Sequence, residues 1–317
     1  MLAFMSLRIA LLGQAPLALD CLDRLRAAGH EIVAVFALPD AGRPDPLAQR
    51  ARELGLHTIQ RRYFQKADGT PIAAALAEYA SLNVELNVLA SMTSFVPSAI
   101  TDRPAHRSIC FHPSLLPRFR GGNALQWQIL LDEHESGVTI FAPDHGVDTG
   151  PILVQRGGVS IEPHDTAGSL FFKKLAPLGA EALSEAVARI DKGEARAHAQ
   201  DERHATFQGL VDERTAALDF QRRAVDVERW VRGCDPQPGA WAMLREQRVR
   251  LHDARLGPEL PGAAPGEIHS ISGEGMMIAL RGGSMQIARV RADAGKESAH
   301  AFAQRTGLHA GERFTSP

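Results

Sequence analysis

Two short segments place groups capable of proton chemistry directly after apolar stretches. Residues 108–123 read Ser-Ile-Cys-Phe-His-Pro-Ser-Leu-Leu-Pro-Arg-Phe-Arg-Gly-Gly-Asn, and residues 137–150 read Gly-Val-Thr-Ile-Phe-Ala-Pro-Asp-His-Gly-Val-Asp-Thr-Gly. The first offers an imidazole, His112, directly after an apolar stretch. The second offers two carboxylates, Asp144 and Asp148, and a second imidazole, His145. An imidazole within hydrogen-bond reach of a carboxylate moves protons near neutral pH, which suits general acid–base catalysis. His112 and Asp148 are the expected pair, while Asp144 and His145 read as loop residues. Cys110, on the apolar stretch, reads as a small core residue. Nucleophilic chemistry there needs a basic partner to form the thiolate. Arg118 and Arg120 suit either an acidic or phosphate group or a solvated loop.

The surrounding elements must position these groups. Ile109–Phe111 reads as a strand that delivers His112 at its end, and Pro113 and Pro117 stiffen the loop behind it. Gly121 and Gly122 permit a tight turn, after which Asn123 is expected to cap a helix through Gln126, Trp127 and Leu130. Val138–Phe141 reads as another strand running into the second polar loop. If the two strands are neighbours, both loops meet at one rim. Upstream, residues 7–12, 32–38 and 83–90 read as buried strands, and residues 16–28, 46–54 and 71–80 as helices. This alternation predicts an α/β, Rossmann-like parallel sheet, which binds ligands beyond the carboxyl ends of its strands. Residues 164–192 read as one long helix, bent at Pro177 and ended by Gly193. After about residue 205 the pattern changes. Short alternating segments at 249–252, 267–270, 275–280 and 285–290, separated by turns, predict a small β-barrel (OB-like) domain. The expected division is residues 1–206 and 207–317, with Trp127 and Trp230 as core anchors.

Bulk properties narrow the function class. The 317 residues carry 35 Lys and Arg against 37 Asp and Glu, so no basic excess points to nucleic acid. Three scattered cysteines, without a CxxC pair, argue against a disulfide framework or structural zinc and favour a cytoplasmic setting. No apolar run approaches the ~18 residues that span a membrane. The N-terminal stretch MLAFMSLR is too short for a signal peptide and reads as the start of the fold. Gly13-Gln14-Ala15-Pro16 after the first strand is not a GxGxxG fingerprint, which counts against a nicotinamide-dependent oxidoreductase.

HPSLLPRFRG at 112–121, followed by GVDTG at 146–150, resembles the folate-dependent formyltransferase family. That family includes methionyl-tRNA formyltransferase and the hydrolase domain of 10-formyltetrahydrofolate dehydrogenase. NVLASMTSFVP at 87–97 resembles its folate-loop region, and residues 207–220 and 230–241 resemble the entry to the C-terminal domain of its two-domain members. The resemblance implies 10-formyltetrahydrofolate as co-substrate, no metal, His112 polarising the formyl oxygen, and Asp148 orienting His112 and accepting a proton. It implies folate contacts at Ser94, Phe95 and Val96 and at Ser114, Leu115, Leu116 and Pro117.

Two departures bear on the acceptor. The family's transferases carry asparagine two positions before the histidine, where this chain has Cys110, a far weaker hydrogen-bond donor. The dehydrogenase's hydrolase domain has an apolar residue there. The tRNA-contacting members carry a basic, glycine-rich insertion after the second strand. Here residues 39–46, Pro-Asp-Ala-Gly-Arg-Pro-Asp-Pro, hold one Arg against two Asp. Water or a small amine is therefore the expected acceptor. Formylation of methionyl-tRNA is the first alternative, and a folate-binding protein without catalysis is an alternative of another class. The carrier and aldehyde dehydrogenase domains of the dehydrogenase are not expected in these residues.

Overall fold

Apolar runs become strands and amphipathic stretches become helices along the first half of the chain. The computed structural model describes residues 6–92 and 94–317; the expected start of the fold at Met1–Met5 lies outside the described residues. In order come β1 (Arg8–Gly13), α1 (Leu17–Ala27), β2 (Glu31–Ala37), α2 (Pro46–Glu53), β3 (Thr58–Gln60), α3 (Ala73–Ala80), β4 (Leu86–Ala90), α4 (Ser98–Thr101), β5 (Ser108–His112), α5 (Ala124–Leu130), β6 (Glu135–Phe141) and β7 (Ile152–Ser160). α6 (Ala167–Leu170), α7 (Ala176–Asp191) and α8 (Ala224–Cys234) follow. Then come β8 (Trp241–Leu244), β9 (Gln247–Gly257), β10 (Ile268–Ser272), β11 (Gly275–Leu280), β12 (Gly283–Ala292), β13 (Gly295–Ser298) and α9 (Ala299–Thr306).

Two compact units result. One comprises the described residues up to Gly121, with Ser136–Val159 and Phe172–Phe207; the other comprises Gly122–Glu135, Ser160–Phe171 and Gln208–Pro317. The first unit is built on a seven-stranded sheet of order β3-β2-β1-β4-β5-β6-β7. Strands β1 to β5 run parallel, as expected. α1 buries Leu17, Ala18, Cys21, Leu22 and Leu25, the spacing of one helical face, and packs on α7. On α7, Gly179 leaves room for the Phe111 ring: an added Cβ would stand 2.4 Å from it. Phe111 thus faces the helix. Cys110 and His112, one residue to either side, share the opposite face of β5.

The second unit carries an antiparallel sheet of order β10-β11-β12-β9-β8, with β13 on β12. Its core gathers Val227, Val231, Leu251, Met285, Ile287, Phe302 and Phe314, with Trp127 and Trp230 packed against it as expected.

Several local expectations need correction. The predicted helix 164–192 is three pieces, because a π turn at Phe171–Leu175 separates α6 from α7. Pro177 lies in the first turn of α7, where its missing N–H costs nothing. Asn123 occupies the N-cap position of α5, but its side chain makes no capping bond there. It adopts a left-handed φ of 64° and its Oδ1 accepts from the Val211 amide at 2.9 Å. β3, β7, β8 and β13 carry too little alternation to be read from sequence. In β7 only Ile152 and Val154 are buried.

Candidate active site

The order of the sheet reverses between β1 and β4, and the crevice at such a reversal is where open α/β sheets bind ligands. β4 and β5 are parallel neighbours, so the loops following both emerge at the same rim. Buried Asn87 on β4 fixes their start. Its side chain accepts from Tyr79 Oη at 2.8 Å and donates to Ile100 O and Ser108 Oγ, each at 3.0 Å. The loop after β4 presents Ser94 and exposes Phe95, whereas Val96 turns into the core beside Ile100 and Tyr79.

His112 closes β5. The loop behind it is held by its own polar atoms: Ser114 Oγ donates to Arg118 O at 2.7 Å, and Thr139 Oγ1 donates to Ser114 O at 2.7 Å. Leu116 N donates to Thr139 Oγ1 at 3.1 Å, and the Leu116 carbonyl accepts from Gln155 Nε2 at 2.8 Å. Leu116 is buried with Phe141 and Ile152, Leu115 would meet a Cβ added at Gly137, and Pro117 is half-buried.

β5 and β6 are sheet neighbours, but antiparallel, with Cys110 opposite Phe141 and His112 opposite Thr139. β6 therefore ends beside Cys110, and its loop must fold back to reach His112. Gly150 allows this close return, since a Cβ there would stand 1.8 Å from the Ala142 carbonyl oxygen. Asp144 serves the loop itself, accepting from Gly146 N at 3.0 Å and Thr149 Oγ1 at 2.6 Å. His145 is exposed. Asp148, at φ 57°, turns inward, and its Oδ2 accepts from Gly121 N at 2.8 Å.

His112 Nδ1 then lies 3.5 Å from Asp148 Oδ2, and its Nε2 lies 2.8 Å from the Phe119 carbonyl oxygen. A carbonyl only accepts, so the ring proton is assigned to Nε2 and Nδ1 is the basic atom. Burial lowers the His112 pKa below its ordinary 6.5, opposed by the negative charge of Asp148 and by the Phe119 carbonyl. At neutral pH a lone pair therefore faces a carboxylate, an arrangement that takes up a proton. Cys110 packs against Leu116, Phe141 and Ile152, and burial, reinforced by Asp148, pushes its thiol well above its usual range. It is neither a thiolate nor a strong donor.

Sequence reading singled out Arg120 but missed its partners Gln200 and Glu202, which help to hold this pair. Arg120 is buried. It donates through Nε and Nη2 to Gln200 Oε1 at 3.1 and 2.8 Å, and through Nη1 and Nη2 to Glu202 at 2.9 and 2.6 Å. It is thus not a solvated side chain but grips an acidic group, Glu202, as one of its two expected roles required. Its long reach, 80 residues along the chain, left no local signal. Beside Asp148 opens a cleft of about 310 Å³ lined by Arg120, Val147, Thr149, Ala205, Thr206 and Phe207. Among these lining residues Arg120 is the sole cation, while Asp144, Asp148 and Glu202 all lie within its electrostatic reach. No group of three or more His, Cys, Asp or Glu among the described residues is placed to hold a metal ion, and no helix among them is long and apolar enough to cross a membrane.

A Rossmann-like sheet with a His–carboxylate pair at its rim, followed by an antiparallel second unit, defines a two-unit α/β class. The chain belongs to the formyl transferase family: residues 7–187 match the formyl transferase model and residues 211–306 the formyl transferase C-terminal domain. It is 36% identical over 273 residues to human mitochondrial 10-formyltetrahydrofolate dehydrogenase, covering 86% of this chain and 29% of that protein. The chain therefore spans under a third of the dehydrogenases that it matches. It is also 36% identical over 302 residues to methionyl-tRNA formyltransferase of Dinoroseobacter shibae, covering 93% of this chain and 95% of that one. Among solved structures, HypX of Aquifex aeolicus in complex with tetrahydrofolic acid shares the fold, at TM-score 0.73 and 19% identity over 94% of this chain and 47% of that one.

Proposed function

We propose that this protein removes the formyl group of 10-formyltetrahydrofolate and passes it to water or to a small amine, with His112 and Asp148 as catalytic pair. The observation that carries this reading is the approach of His112 Nδ1 to Asp148 Oδ2 at the rim of a formyl transferase fold. The acceptor's nitrogen or oxygen forms a bond to the formyl carbon, and a tetrahedral oxyanion results. The bond from that carbon to N10 then breaks. The proton lost by the acceptor passes through Asp148 and His112 to N10. Protonated on Nδ1, where Asp148 faces it, His112 supplies positive charge that stabilises the oxyanion.

Two features support a small or uncharged acceptor. The cleft beside Asp148 has one guanidinium, already engaged by Gln200 and Glu202, so an anionic acceptor finds no spare cation there. Residues 39–46, where tRNA-contacting relatives of the family are basic, use their carboxylates internally: Asp45 Oδ1 caps α2 through Ala48 N, and Asp40 Oδ1 accepts from Asp45 N. Methionyl-tRNA as acceptor is the second reading, favoured by the near-complete coverage of the D. shibae enzyme.

The deciding experiment incubates the purified chain with 10-formyltetrahydrofolate alone, with small primary amines, and with charged initiator tRNA. Release of tetrahydrofolate without tRNA is expected. His112→Ala should slow it by about 10²- to 10⁴-fold. Turnover that depends on tRNA and yields formyl-methionine would reverse the choice of acceptor. Folate binding without turnover would leave a binding protein.

A further inference from the structure

Residues 198–207 run across both loops that carry the candidate catalytic pair. His198 and Ile152 exchange backbone hydrogen bonds of 3.0 and 2.8 Å. Gln200, nine-tenths buried, donates from Nε2 to the carbonyls of Asp148 at 2.8 Å and Gly150 at 2.7 Å. Its Oε1 accepts both bonds from Arg120, which Glu202 holds from the far side. Thr206 grips the other loop. Its N donates to Pro117 O at 3.1 Å, its Oγ1 accepts from Phe119 N at 2.8 Å, and its carbonyl accepts from Arg120 N at 2.9 Å.

Asp148 needs this support. A φ of 57° lies in the left-handed region, which residues with a side chain adopt uncommonly, aspartate more readily than most, so the loop's return depends on the bonds around it. Released from its restraints, the loop would relax and swing the carboxylate away from His112. Gln200 has all its polar capacity engaged: two N–H bonds to the Asp148 loop and two bonds accepted from Arg120. Arg120 can only donate, so the amide cannot flip.

We propose that Gln200 is a positioning residue for Asp148, with Arg120 and Glu202 fixing the direction of its amide. The assignment rests on the formyl-transfer reading. It acts through the geometry of the proton acceptor and not through folate affinity, so it predicts a split between kcat and KM.

The test compares the full chain with Gln200→Leu and Gln200→Glu, using 10-formyltetrahydrofolate for kinetics and tetrahydrofolate for binding by calorimetry. The second variant keeps an acceptor for Arg120 but sets a carboxylate oxygen against two carbonyls. Both are expected to lose about 10- to 100-fold in kcat, the usual cost of misplacing a reacting group. KM and tetrahydrofolate affinity should stay within about twofold, and the acid limb of the pH–kcat profile should shift. Glu202→Gln, at the exposed end of the chain of contacts, should show a smaller kcat loss of the same kind. An unchanged kcat would overturn the assignment, and so would a parallel loss of kcat and folate affinity. Lack of turnover by the unmodified chain would instead overturn the formyl-transfer reading, and the assignment with it.

Discussion

His112 is tuned by two opposed effects that the structure separates. Burial disfavours the imidazolium, while Asp148 favours it, and burial wins. A base with a lowered pKa is neutral at physiological pH and loses activity only when protonated. The acid limb of kcat should therefore lie below pH 6.5, the ordinary value for the ring. Asp148→Asn removes the charge that raises the His112 pKa, so the limb of the residual activity should move further down. A pH–kcat profile of both proteins checks the sign. Cys110 offers the converse test. Cys110→Asn places a strong donor on the face of β5 that carries His112, and kcat should rise about tenfold, a fraction of what one oxyanion donor is worth. The amide would sit among Leu116, Phe141 and Ile152. Stability should fall by about 1–3 kcal/mol, measured by urea unfolding.

At the scale of elements, one glycine sets how β5 meets its helix. Gly179→Ala puts a methyl 2.4 Å from the Phe111 ring, whose neighbours are Cys110 and His112. Overpacking of this kind costs about 1–3 kcal/mol. The urea midpoint should drop, and Phe111→Leu in the same chain should restore part of it. The strand that carries His112 was legible from its apolar run and its prolines. The direction of β6 was not, because alternation has the same period whichever way a strand runs. The π turn at Phe171–Leu175 was equally hidden: Pro177 marked an irregularity, but the irregularity fell upstream of it.

At the scale of the whole molecule, the two units can be followed separately. All three tryptophans, Trp127, Trp230 and Trp241, belong to the second. That unit contains buried Asp235, whose Oδ1 lies 2.9 Å from His252 Nδ1 and 3.7 Å from Lys296 Nζ, and whose Oδ2 accepts from Asp253 N at 2.9 Å. Burial pushes the Asp235 pKa up, but the bonds from His252 and Asp253 and the charge of Lys296 outweigh it and hold the carboxyl below its ordinary 3.8. A carboxylate with a lowered pKa stabilises the fold above its unfolded value and loses that contribution as pH falls through the folded value. Tryptophan fluorescence should therefore report weakening of the second unit below about pH 4. Asp235→Asn should be less stable at neutral pH and show a flatter acid dependence.

The amino-acid sequence alone determined the class of sheet, the two loops that bear His112 and Asp148, and the family to which they belong. These are local properties, because apolar runs, prolines and glycines act on the few residues around them. Only the tertiary structure decided that β6 runs antiparallel, that Asp148 reaches His112 by folding back at Gly150, and that Gln200 and Arg120 secure the return. Those contacts join residues 27 to 80 positions apart, and side chains so distant in sequence share no periodicity that could announce them.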